Sequence, residues 1–185
     1  MPLATAHDVL AFWFSDAAKP NWFARSDAFD AAVREALLPL HERAATGELD
    51  VWAEAAEGAL ALVLLLDQVP RNVFRGDPRA FASDAKGREI AWAAIGAGLD
   101  WQMVGDDRRT FLYLPLEHSE DIDDQRACVR LFEERVTNPM FVDYARRHLA
   151  VVERFGRFPH RNAILGRAST PAEQNWLAQD GAFKG

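Results

Sequence analysis

The chain has 185 residues, 49% hydrophobic and 26% charged, a balance that fits one soluble globular domain and argues against disorder. A formal net charge of −7 disfavours nucleic acid as a partner, and the longest aliphatic run, Ala59 to Leu66, is far too short to span a bilayer. The one cysteine, Cys128, leaves no intramolecular disulfide, and the N-terminus lacks the basic start and apolar core of an export signal, so a reducing cytoplasm is the expected location.

Thr5 can cap a first helix, with Asp8 in its first turn and Val9, Leu10, Trp13 and Phe14 on its apolar side. Ser26 can cap a second, in which Phe29, Val33, Leu37, Leu40 and Ala44 recur at helical spacing before Gly47. A third is predicted from about Val51 to about Leu66. Its second half is apolar on every side, which marks a central, buried helix. Asp77-Pro78 and Asp84 are two possible starts for the next, which continues through Ile90, Ala94 and Ile95 to Gly98. Asp106 to Leu114 predicts a short helix ended near Pro115. Ser119 can cap the following one, with Glu120, Asp121 and Asp123 in its first turn, and Asn138-Pro139 breaks it. A further helix carries Phe141, Ala145, His148, Leu149, Val152 and Phe155 on one side and closes at Gly156. Thr170-Pro171-Ala172-Glu173 is a capping box that starts a last helix bearing Trp176 and Leu177. No turn pair joins two alternating β-branched runs; Gly76-Asp77 and Asp180-Gly181 lack such flanks. The expectation is a single all-α domain over residues 1–185 with about eight helices. Six Trp and 12 Phe suit wedging between crossing helices.

One phrase occurs twice. Residues 70–76 read Pro-Arg-Asn-Val-Phe-Arg-Gly, and residues 159–167 read Pro-His-Arg-Asn-Ala-Ile-Leu-Gly-Arg. With Leu116-Glu117-His118-Ser119-Glu120-Asp121 they form three strongly polar stretches flanked by apolar residues. Arginine offers a planar fork of donors for carboxylate or phosphate, and histidine titrates near neutrality. Residues 117–134 carry seven acids against Arg126 and Arg130, a net −5; residues 143–167 carry six arginines against Asp143 and Glu153, a net +4. Such segments attract if adjacent. Asp67 can bind Arg71 or Arg161, and Glu120 can pair with Arg157, in a network that only fixes helix packing.

The chemical alternative places His118 and Glu120 as proton-handling residues facing an anion. Arg71, Arg157 and Arg161 would hold that anion, with Asp67, Asn72, His160 and Asn162 around it. No metal site is expected, since no His-Glu-x-x-His or comparable spacing occurs. His148 reads as a core histidine, His7 and His41 as surface residues, and Cys128 as an inert core thiol. Trp22 and Trp101 leave a homodimer open. No cofactor is indicated.

The strings Leu64-Leu65-Leu66-Asp67-Gln68-Val69-Pro70-Arg71-Asn72-Val73-Phe74-Arg75-Gly76, Phe111 to Asp121, and Arg154 to Asn162 resemble the signature of the bacterial family known as domain of unknown function 924. Val9 to Phe14, Leu165-Gly166-Arg167 and Ser169 to Glu173 resemble it too. The resemblance implies an all-helical, tetratricopeptide-like protein, with antiparallel helix pairs in a right-handed superhelical arrangement. It also implies a concave surface able to grip a peptide. It implies no reaction. The family's motif residues here are Asp67, Gln68, Arg71, Asn72, His118, Glu120, Arg157, His160, Arg161 and Asn162. The family often has methionine at the position of Glu117, which makes Glu117 the weakest candidate.

Overall fold

A computed structural model describes residues 5–179; Met1–Ala4 and the Asp180-Gly181 pair lie outside the described residues. All regular structure among them is helical, as expected. The α-helical segments are α1 (Ala6–Trp13), α2 (Asp27–Ala45), α3 (Ala56–Val63), α4 (Val69–Val73), α5 (Asp84–Gly96), α6 (Asp106–Glu117), α7 (Ile122–Arg135), α8 (Pro139–Phe155) and α9 (Pro171–Leu177). A π turn, Leu64–Gln68, fuses α3 and α4 into one continuous helix, giving eight helices among the described residues. No described helix is long and apolar enough to cross a membrane.

Predicted caps are largely those observed. Thr5 and Thr170 form reciprocal capping boxes with Asp8 and Glu173, and Ser26 accepts from the Phe29 amide. Ser119 caps nothing directly. It accepts from the Asp121 amide and donates to Asp124, while Asp121 caps α7. Asp77 and Asp84 both start helices: Asp77 caps a short 3-10 turn, Pro78–Phe81, and Asp84 opens α5.

The fused α3–α4 helix is the axis of the molecule. Residues Ala59 to Leu66 are each at 0% exposure, and α1, α2, α5 and α6 pack around it. Its entry is tight: a Cβ on Gly58 would sit 2.0 Å from the Trp52 carbonyl oxygen, so only glycine lets the preceding turn cross so closely. Helices α6, α7 and α8 follow one another through connections of a few residues and pack side by side, which brings the acidic and basic segments together. Arg146 pairs with Glu133 across that seam at 2.7 Å. A small second core of Val151, Val152 and Phe158, with Ile122, Phe155 and Trp176, ties down the C-terminal segment.

The central helix does not stop at Asp67-Gln68, as the sequence suggests, but runs through Pro70 to Val73. Pro70 has no N–H to give the carbonyl one turn back. The chain widens into a π turn in which the Val69 amide reaches the Leu64 oxygen. Side chains then meet the carbonyls that follow: His41 Nδ1 at 2.8 Å from Leu65 O, Ser83 Oγ at 2.6 Å from Leu66 O, and Arg71 Nη1 at 2.7 Å from Asp67 O. His41 is therefore buried, contrary to its sequence-based placement on the surface. Pro115 likewise lies inside α6, because the His118 amide still finds the Leu114 oxygen at 2.9 Å.

Candidate functional site

The π turn aims Asp67 at the C-terminal end of α6, where His118 sits. His118 Nδ1 lies 2.8 and 3.0 Å from the two Asp67 oxygens. Gln68 Nε2 donates to Asp67 Oδ2 at 2.6 Å, and Arg71 Nη1 lies 3.1 Å from Oδ1. Burial raises the Asp67 pKa, but Arg71 and His118, with the hydrogen bonds from His118 and Gln68, outweigh it and hold the carboxyl far below the usual range. Asp67 is thus ionised and accepts the Nδ1 hydrogen of His118. Burial and Arg71 push the His118 pKa down, so the imidazole is neutral at pH 7. Its lone pair then lies on Nε2, which makes no hydrogen bond to any described residue, on a side chain 16% exposed.

Arg71 spends its donors inside the protein. Both its Nη atoms bind Asp84, at 2.9 Å each. Arg161 does not. Its guanidinium carbon lies over two rings, 4.8 Å from the Phe81 centroid and 4.6 Å from the Phe158 centroid. The nearest carboxylate oxygen, Asp84 Oδ2, is 3.9 Å away, and Nε is buried without a partner. The side chain is 8% exposed. Burial and then the neighbouring Arg71 lower its pKa to about 10, so the group stays charged. Burying a charge without hydrogen bonds is costly. His160 lies beside it, and burial and Arg161 lower its pKa to about 3. Among the described residues no three His, Cys, Asp or Glu side chains are placed to hold a metal ion.

Behind His118 lies a pair that sequence reasoning passed over. Glu117 is 5% exposed, and its Oε1 is 3.3 Å from His148 Nδ1. Burial first, then the nearby Asp67 charge, push the Glu117 carboxyl up to about 8, and burial lowers His148 to about 3. Both are neutral at pH 7. The Cys128 thiol is fully buried and pushed up by that burial.

Three of the sequence-derived site residues lie elsewhere in role, and a fourth faces another direction. Glu120 does not face His118 as an acid–base partner. It accepts from Arg167 at 2.6 and 2.9 Å and from the Phe158 amide at 2.8 Å, and these donors hold it low despite burial. Arg157 pairs with Glu173 (2.6 and 2.9 Å) and the Ala168 carbonyl, not with Glu120 or an anion. Asn162 is 1% exposed, donates to Ser169 Oγ and accepts from Arg167 Nε, so it shapes the C-terminal loop. Asn72 accepts from Arg75, which also binds Asp30, and lines a separate cleft of about 470 Å3 with Arg25 and Arg34. Asp67, Arg71, His118, His160 and Arg161 do come together. The residues that sequence reasoning missed are Asp84, which bridges Arg71 towards Arg161, and Phe81, which stacks on Arg161. Asp84 carried only the signal of a helix start.

A solved structure, that of the protein of unknown function ATU0120 from Agrobacterium tumefaciens, is similar at 43% sequence identity and a TM-score of 0.89. The likeness covers 95% of this chain and 97% of that one. No curated protein matches. The family model described as bacterial protein of unknown function (DUF924) matches residues 9–181, and the chain belongs to that family.

Proposed function

We propose that the protein binds a small anionic molecule in the niche between the π turn, the C-terminal end of α6 and the Pro159–Arg161 turn, and that His118 exchanges a proton with it. The observation that carries this reading is Arg161: a buried, charged guanidinium with no hydrogen bond. Structural arginines in a folded core have their donors met; an arginine kept for a ligand does not. The Asp67–His118 pair adds the chemistry. An ionised carboxylate fixes the tautomer, leaving Nε2 as an oriented base. Arg71 holds Asp67 in place, and His160 stands beside the anion position. No cofactor enters this reading.

A crystal grown in citrate or phosphate tests it. The expected result is an ion within hydrogen-bond distance of Arg161, on the His118 side. Density confined to the Arg25–Arg34–Arg75 cleft, with Arg161 bare, would count against it.

A second reading has its own support. A cleft of about 340 Å3 lined by Leu60, Met103, Val104 and Arg108 lies away from these arginines, with Val104 85% exposed. It suits the tetratricopeptide-like scaffold role, in which a peptide lies in a groove and the Asp–Arg network only sets helix packing. Pull-downs that recover one partner reproducibly, and lose it on V104D, would favour that role. We also propose a cytoplasmic location and a homodimer; Trp101, 60% exposed, supports the second.

A further inference from the structure

Resting on the base role just proposed for His118, we infer that Gln68 is its positioning residue: the amide that keeps the Asp67 carboxylate turned so that His118 holds its hydrogen on Nδ1 and its lone pair on Nε2. Which imidazole nitrogen carries the hydrogen is set by the hydrogen bond it makes. The carboxylate that accepts that bond is itself loose, because the last torsion of an aspartate is broad and roughly two-fold. Its plane must be fixed before it can fix the ring.

Arg71 holds Asp67 by charge and through its backbone oxygen, but it leaves the carboxylate plane unset. Its Nη1 carries two hydrogens. The Asp67 backbone oxygen takes one at 2.7 Å, Asp84 Oδ1 takes the other at 2.9 Å, and Nη2 goes to Asp84 Oδ2. The 3.1 Å approach of Nη1 to Asp67 Oδ1 therefore adds attraction without an aimed hydrogen bond. Besides His118, Gln68 is the one described side chain that donates a hydrogen bond to this carboxylate, from Nε2 to Oδ2 at the short distance of 2.6 Å. On a regular helix neighbouring side chains point apart. Here both residues lie in the π turn, and the Gln68 amide bends back onto Asp67 on a residue only 7% exposed. With Oδ2 pinned in this way, His118 Nδ1 meets both oxygens, at 2.8 and 3.0 Å. The amide is neutral, so it supplies direction and leaves the charge of the niche unchanged.

The test is 15N NMR of the whole chain, labelled at histidine and glutamine, at pH 7 in an anion-poor buffer. In the wild type His118 should be the Nδ1–H form alone. One Gln68 side-chain amide hydrogen should be shifted downfield and exchange slowly with water. Q68M and Q68L remove the donor and keep a side chain of similar bulk. In each variant that thermal melting shows to be folded, His118 should become a mixture of the two tautomers, with its two 15N shifts drawn towards each other. A Gln68 that serves only packing would lower the melting temperature and leave the tautomer as it was. That result, or a wild-type Gln68 amide with an ordinary shift and fast exchange, would overturn the inference while leaving His118 as the base. A wild-type His118 with its hydrogen on Nε2 would remove both.

Discussion

Three arginines of one segment meet opposite fates. Arg157 and Arg167 each give two hydrogen bonds to a carboxylate, Glu173 and Glu120, and a further bond to a backbone carbonyl. Arg161, between them in sequence, is the most enclosed and gives none. Exposure alone would predict the reverse, since a buried charge needs its donors met most. The clamps hold the C-terminal segment against α7 and α8; what they hold in place is a charged group kept unpaired beside the Asp67–His118 pair. The contrast separates parts that stabilise the fold from a part that is ready to bind.

Several substitutions sharpen that contrast. The largest loss should come from D67A, which strands Arg71, His118 and Gln68 in the core; about 3–5 kcal/mol is expected in urea unfolding at pH 7. Asp67 has a depressed folded-state pKa. Its contribution is therefore present above its unfolded value of 3.8 and fades as pH falls towards the folded one. The gap between wild type and D67A should narrow below about pH 4. E120A breaks a half-buried clamp and should cost about 2 kcal/mol.

E117Q has the opposite sign. The Glu117 pKa is raised from 4.5 to about 8, so in the wild type folding must keep a proton that the unfolded chain sheds, and stability drops as pH rises through that window. Gln needs no proton. The variant should match the wild type near pH 4.5 and exceed it increasingly towards pH 8 in thermal melts. The smallest effect should be R146A, which removes an exposed ion pair with Glu133; a change within about 0.5 kcal/mol is expected.

Much of the fold was legible in residue patterns. An octet apolar on all sides, Ala59 to Leu66, could only be a central helix, and Thr5, Ser26 and Thr170 announce helix starts. The three polar stretches converge because each caps or interrupts a buried helix, where polar groups must meet one another. The π turn was not legible, because Pro70 reads as a stop; His41 and Ser83, distant in sequence, together with Arg71 let the helix pass it. Nor was the pairing of arginines with acids. Opposite charge on residues 117–134 and 143–167 implies attraction between segments, but geometry decides that Glu120 takes Arg167 and not Arg157. Asp84 was hidden for the same reason, since its partners come from two other segments.

The most direct test of an arginine held for a ligand is the unfolding free energy of R161M in an anion-poor buffer. Methionine can keep the contacts with the Phe81 and Phe158 rings and needs no hydrogen bonds. The variant should be as stable as the wild type within about 1 kcal/mol, or more stable, because no hydrogen bond is lost and a buried charge is removed. A loss of about 3 kcal/mol or more would mean that Arg161 is a structural residue like its two neighbours.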